Sequence, residues 1–77
     1  MKSPLKLCTL LDAIEGPTVI WIAQPDNDDG VFHGFAEDAA ANIPGEYLFG
    51  DVEAVYAEYY KSYNRAGISI LVKPYRQ

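Results

Sequence analysis

Two side chains that could act as a nucleophile, a base or a metal ligand occur once each, Cys8 and His33. Cys8 lies in a leucine-rich stretch with no cation beyond Lys6 near it in sequence, so a small buried hydrophobe is its expected role. A zinc site or a nucleophile–histidine pair needs partner residues at a recognisable spacing, and none surrounds His33. We therefore predict no catalytic residue, no metal site, no cofactor and a protein that is not an enzyme.

The acidic segment after residue 24 resembles a calcium loop in spacing only. Asp26, Asp28 and Glu37 fall at positions 1, 3 and 12 of an EF-hand loop. Position 5 is then Gly30, which has no side-chain oxygen, and position 6 is Val31, where the loop needs glycine. These residues argue against an EF-hand. The alternative that stays open is weak, adventitious Ca²⁺ binding.

Charge is segregated along the chain, whose net charge is −5. No Lys or Arg occurs from residue 7 to residue 60, and that interval holds all eleven acidic residues. Such a surface should repel phosphates and attract basic partners. The candidate binding surface is an acidic face made of Asp26, Asp28, Asp29, Glu37, Asp38, Asp51 and Glu53. The alternative is that these acids serve solubility alone.

Four tyrosines are candidate anchors for a partner protein, because tyrosine offers contact area at a small entropic cost. They are Tyr47, Tyr59, Tyr60 and Tyr63. The alternative role for each of them is packing in the core or at its rim. The predicted partner is a protein with a basic groove; direct contact with nucleic acid is not expected.

Two apolar, β-branched and aromatic runs predict a β-hairpin that would present the acidic segment between its arms. The arms are residues 18–23 and 31–37, and Asp29-Gly30 supplies the turn. Because both faces of the first arm are apolar, we expect a central strand with a helix on one side.

Helices are predicted before and after this hairpin. Ser3-Pro4 should begin a helix over residues 4–15, which Gly16-Pro17 would end. Asp38 should cap a short turn over residues 38–42. A second turn follows at residues 46–49, where Leu48 and Phe49 are expected to fill the core.

Residues 51–64 are ambiguous between helix and strand. Apolar residues at 52, 55, 56, 59, 60 and 63 match a helical period. Valines and tyrosines nevertheless favour a strand, which would pair with the alternating run at residues 68–72. That second run could lie at the edge of the sheet and so allow a homodimer.

The order of features resembles small uncharacterised proteins encoded by phages and prophages of Gram-positive bacteria. The similar stretches are Asp-Ala-Ile-Glu-Gly at 12–16, Thr-Val-Ile-Trp-Ile at 18–22, Phe-His-Gly-Phe-Ala-Glu-Asp at 32–38, Ile-Pro-Gly-Glu-Tyr-Leu at 43–48 and Asp-Val-Glu-Ala-Val-Tyr-Ala-Glu at 51–58. The resemblance implies a strand that starts at residue 51. By analogy of size and charge, it also implies an inhibitor of host machinery, such as an anti-CRISPR protein that presents carboxylates in place of phosphates.

We therefore expect one α+β domain over residues 1–77, with an N-terminal helix on a mainly antiparallel sheet of about four strands. A short helical turn should separate the two hairpins. The lone cysteine and the lack of a long apolar run predict a cytoplasmic protein that does not contact a membrane. The expected function is inhibition of a nucleic-acid-handling complex, and the alternative is a homo-oligomeric structural or assembly module.

Overall fold

The computed structural model describes residues 5–25 and 27–75, and for residues 27–29 it describes the backbone. The elements in chain order are α1 Leu7–Ala13, β1 Val19–Gln24, β2 Asn27–Phe35, α2 Ala36–Asn42, α3 Gly45–Leu48, β3 Asp51–Tyr60 and β4 Arg65–Lys73. This order confirms the predicted α+β class, with one N-terminal helix and short helices between two hairpins.

The four strands form one mixed sheet in the order β2-β1-β4-β3. The β1–β2 and β3–β4 hairpins are antiparallel, and β1 lies parallel to β4. The sheet is therefore mainly antiparallel, as predicted. The edge strands are β2 and β3, so the expectation that residues 68–72 form an edge was wrong.

Residues 51–60 form a strand despite their helical spacing. β3 pairs with β4 from Asp51↔Lys73 to Tyr60↔Arg65, with a bulge at Glu53, which has no partner on β4. The turn of residues 61–64 that follows contains Asn64, whose φ is 53°. Asn tolerates this left-handed conformation better than most residues, which allows the tight return into β4.

The core lies between the sheet and the three helices. Ile20 and Ile22 of β1 and Ile70 and Val72 of β4 are fully buried there, together with Leu7 of α1. Burying each such side chain contributes about 1.5–3 kcal/mol, so this face supplies most of the driving force for folding. The prediction of a central β1 with a helix on one side is confirmed.

The first helix is shorter than residues 4–15, because the segment before it joins the sheet. The backbone of Lys6 bridges Asp51, and Val52 donates its N–H to the carbonyl of Leu5 at 2.8 Å. Helix α1 therefore starts at Leu7 and lacks a side-chain cap. The predicted cap at Ser3 lies outside the described residues.

The first hairpin turns earlier than Asp29-Gly30. Asn27 already pairs with Gln24, and register shifts on either side of Ala23 bring Gly30 opposite Ala23. The indole of Trp21 lies over Gly30, so close that a Cβ there would be 2.6 Å from the ring. A larger residue at this position would require the indole to shift.

The region between the hairpins differs in two details from the expectation. Helix α2 begins at Ala36, so Asp38 lies within its first turn and does not cap it. Leu48 packs against the core as predicted, but Phe49 does not, because 59% of its surface is exposed.

Candidate functional site

The acidic residues predicted to form one face lie at different places on the sheet. Asp51 and Glu53 are at the start of β3, at the end of the sheet where Gln24 pairs with Asn27. Glu37 is at the opposite end, since its N–H donates to the carbonyl of Gly16 just before β1. Asp38 follows it on α2, and both side chains are exposed.

The acids of the first hairpin can be placed by backbone alone. Asp28 and Asp29 lie within β2, at the edge of the sheet opposite β3. Asp26 lies outside the described residues. The structure thus brings Asp51 and Glu53 together and separates them from Glu37 and Asp38 by the length of the sheet.

Asp51 is engaged within the protein. Its carboxylate accepts a hydrogen bond from the Lys6 ammonium at 2.7 Å, and both side chains are about two-fifths exposed, at 40% and 41%. Exposed pairs of this kind contribute little to stability. The pair accompanies the backbone hydrogen bonds that hold the N-terminal segment beside β3, and it does not form part of a buried site.

The four candidate tyrosines have four different environments. Tyr47 is half-buried and accepts a hydrogen bond from Gln24 Nε2 at 2.8 Å. Tyr59 is 56% exposed and donates to Asn64 Oδ1 at 2.5 Å. Tyr60 is buried and Tyr63 is half-buried, and both lie on the sheet face away from the helices. Tyr59 therefore offers a partner the most surface.

That face of the sheet is covered by an aromatic layer, which we define as Trp21, His33, Phe35, Tyr60 and Tyr63. The ring of His33 lies 5.0 Å from Trp21, 5.0 Å from Tyr60 and 5.1 Å from Tyr63, between ring centroids. Tyr63 also meets Phe35 edge-on at 5.3 Å. Edge-on and tilted ring pairs at these distances are favourable, and the layer packs on the sheet face opposite the described helices.

A hydrogen-bond chain anchors the aromatic layer to β3 and β4. The Ser69 hydroxyl, which is fully buried, donates to Glu58 Oε2. Since a serine has a single hydroxyl hydrogen, Tyr60 must donate to Ser69 in their hydrogen bond. Burial raises the pKa of Tyr60, and the nearby Glu58 reinforces this shift through its negative charge and a hydrogen bond.

A shallow depression of about 260 Å³ lies beside the layer and is open to solvent. It is lined by Trp21, Gly30, Val31, Phe32 and His33. The described lining consists of aromatic rings, the Val31 side chain, the His33 imidazole and backbone, so the depression is suited to an apolar or planar side chain.

The single cysteine and the single histidine lie on opposite sides of the sheet. Cys8 is on α1, in the helix layer, and His33 is in the aromatic layer. Within residues 5–25 and 30–75, whose side chains the structure describes, no group of three or more His, Cys, Asp or Glu is placed to hold a metal ion.

The strand β3 is the most exposed element of the sheet. All seven residues from Glu53 to Tyr59 are exposed, including Val55 and Tyr56, each at 47%. Sequence reasoning selected Glu53 and Tyr59 here but missed Val55, Tyr56 and Glu58. Val55 and Tyr56 entered the sequence reasoning only as members of an apolar helical period, and Glu58 only as one of the eleven acids. A strand exposed on both faces has no alternation that would identify it.

No protein-family model, curated protein or solved structure matches the chain. None of the helices in the described part of the chain is long and apolar enough to cross a membrane.

Proposed function

We propose that this protein is an acidic protein-binding module that occupies a basic surface of a nucleic-acid-handling partner in the cytoplasm of a bacterial host. The observation that carries the proposal is the segregation of charge, with all eleven acids and no Lys or Arg between residues 7 and 60. The acidic side chains of Glu37, Asp38, Glu53 and Glu58 are exposed. They can therefore approach Lys and Arg side chains of a partner without prior rearrangement.

The effect of such binding would be competitive inhibition. A groove lined with Lys and Arg binds phosphates largely by charge, and carboxylates presented at its rim attract the same side chains. Charge complementarity also speeds association. The resemblance to phage proteins and the analogy with anti-CRISPR inhibitors support this role.

The test is a tagged capture from a bacterial lysate at low salt, followed by reconstitution with the purified partner and a labelled nucleic acid. We expect moderate salt to release the partner, because screening weakens exposed charge pairs. We also expect the protein to displace the nucleic acid in proportion to occupancy. An affinity that does not change with salt, or nucleic acid binding that is unaffected, would reject the inhibitor proposal.

A second candidate function is a homo-oligomeric structural or assembly module, which the exposed edge of β3 favours. Sedimentation velocity at micromolar concentration discriminates between the two functions. A concentration-dependent dimer would favour assembly, and a strict monomer would exclude it at those concentrations.

A further inference from the structure

The start of the outer edge of β3 already pairs with the N-terminal segment of the same chain. Leu7 donates its N–H to the carbonyl of Gly50 at 3.1 Å, and Val52 donates to Leu5 at 2.8 Å. This short antiparallel contact ends at Val52, where the bulge begins. Among the described residues, no segment pairs with residues 53–60 on the side away from β4.

The contact at Lys6 shows which chemistry this edge accepts. The backbone of Lys6 bridges Asp51 while its ammonium binds the Asp51 carboxylate. An extended segment that carries one basic residue, Lys6, therefore already lies beside an acidic position of β3. Farther along the strand, Glu53 and Glu58 are exposed, and β3 contains no Lys, Arg or His.

The ladder indicates which backbone groups of β3 face outward. Hydrogen bonds of an antiparallel strand alternate between its two sides, and the Val52 N–H points away from β4. The same alternation continues after the bulge at Glu53. The backbone N–H and C=O groups that face away from β4 are then those of Val55, Ala57 and Tyr59. Three successive pairs of groups are thus in position to bind a further strand.

We propose that residues 53–60 receive an extended segment of a partner protein, which adds a fifth strand to the sheet and places Lys or Arg beside Glu53 and Glu58. This inference rests on the proposed function and names the surface that carries it. A second copy of the chain is a poorer occupant, because it would bring the same acids and a further net charge of −5 to the interface. A basic segment complements both the backbone edge and the charge.

The probe is a synthetic peptide about ten residues long, as a strand of this length requires, in which lysine and threonine alternate. Its matched control alternates lysine and proline, which keeps the charge but removes every second N–H group and fixes proline φ away from the value of a β-strand. Titration into the ¹⁵N-labelled full chain, followed by amide chemical shifts and hydrogen exchange, locates the contact. We expect the lysine–threonine peptide to shift amides 53–60 and to slow exchange at Val55, Ala57 and Tyr59.

A charge reversal on β3 tests the acidic half of the proposal. Glu53→Lys should weaken binding of the lysine–threonine peptide about three- to tenfold, as expected for loss of an exposed charge pair plus repulsion. Asp12→Lys makes the same change of net charge on an exposed residue of α1 and should leave binding close to that of the wild type. Equal effects of the two variants would mean that only net charge matters and would overturn the docking site.

Three other results would also overturn the inference. Equal binding of the lysine–proline peptide would exclude strand addition. Shifts centred on Trp21 and His33 would place the contact at the aromatic layer. Protection of the outward amides before any peptide is added would mean that the edge is already occupied.

Failure of this inference and failure of the proposed function give different results. A captured partner that is released by salt but binds Glu53→Lys as it binds the wild type would reject the β3 site and leave the function standing. Specific peptide binding without competition against nucleic acid would retain the site and reject the inhibitor.

Discussion

The side chain of Tyr60 connects three strands of the sheet. It belongs to β3, its ring contacts His33 of β2, and its hydroxyl donates to Ser69 of β4. Ser69 donates its only hydroxyl hydrogen to Glu58. The hydrogen bonds therefore run in one direction, from the Tyr60 hydroxyl through Ser69 to the Glu58 carboxylate. The direction decides which deletion leaves a polar group without a partner.

Two substitutions at this chain should therefore differ in cost. Tyr60→Phe leaves Ser69 with its acceptor, and it should lower the free energy of unfolding by about 0.5–1.5 kcal/mol. Ser69→Ala removes a fully buried hydroxyl together with the acceptor that Tyr60 uses there, and it should cost about 1–3 kcal/mol. Urea unfolding followed by the fluorescence of Trp21 measures both, and equal costs would contradict the assigned direction.

The cost of Tyr60→Phe should also depend on pH. The folded-state pKa of Tyr60 is raised by burial above its unfolded value of about 10, so the native state binds this proton more tightly. The contribution to stability is complete below about pH 10 and is lost as pH rises through the raised pKa. We expect the difference between the wild type and Tyr60→Phe to shrink above about pH 10. A difference that stays constant would refute the raised pKa.

At the scale of the element, β3 shows why a sequence pattern can mislead. Its apolar residues match a helical period, but the strand pairs with β4 along one edge only, and the side chains on both of its faces are largely exposed. The valine and tyrosine at positions 55 and 56 therefore indicate a preference for strand structure and not a buried face. β1 is the opposite case: Val19, Ile20 and Ile22 are fully buried, and its central position was predictable from apolar faces on both sides.

The parallel contact of β1 with β4 depends on a glycine. A Cβ at Gly67 would lie 2.2 Å from the carbonyl oxygen of Val19. Gly67→Ala should therefore force the two central strands apart and cost about 1–3 kcal/mol, as overpacking does elsewhere. Thermal unfolding by circular dichroism measures the loss.

The matched control for that substitution is Gly45→Ala at the start of α3. A Cβ there would meet nothing within 4 Å, so stability should change by no more than about 0.5 kcal/mol. If Gly67→Ala cost as little stability as Gly45→Ala, the result would contradict the close approach of β1 and β4.

At the scale of the whole molecule, local patterns predicted the class and the number of strands, and the arrangement of the site depended on long-range pairing. The acids from Asp26 to Glu53 are near one another in the sequence. Glu37 and Asp51 nevertheless lie at opposite ends of the sheet, because β2 and β3 are its two edges. The Lys6–Asp51 pair joins positions 45 residues apart. No periodicity in the sequence contains such information.

The net charge of −5 should make the stability of the protein depend on salt. Excess negative charge repels itself in the compact state, and added ions screen that repulsion. Raising NaCl from low to physiological concentration should therefore stabilise the fold by up to about 1 kcal/mol, or about 4–8 °C in melting temperature for a domain of this size. Differential scanning fluorimetry measures the shift, and Asp12→Lys, which reduces the negative charge, should respond less. A melting temperature that falls with salt would contradict net repulsion. Since salt should strengthen the fold and weaken partner binding, loss of a partner at moderate salt would reflect screening of the interface and not unfolding of the protein.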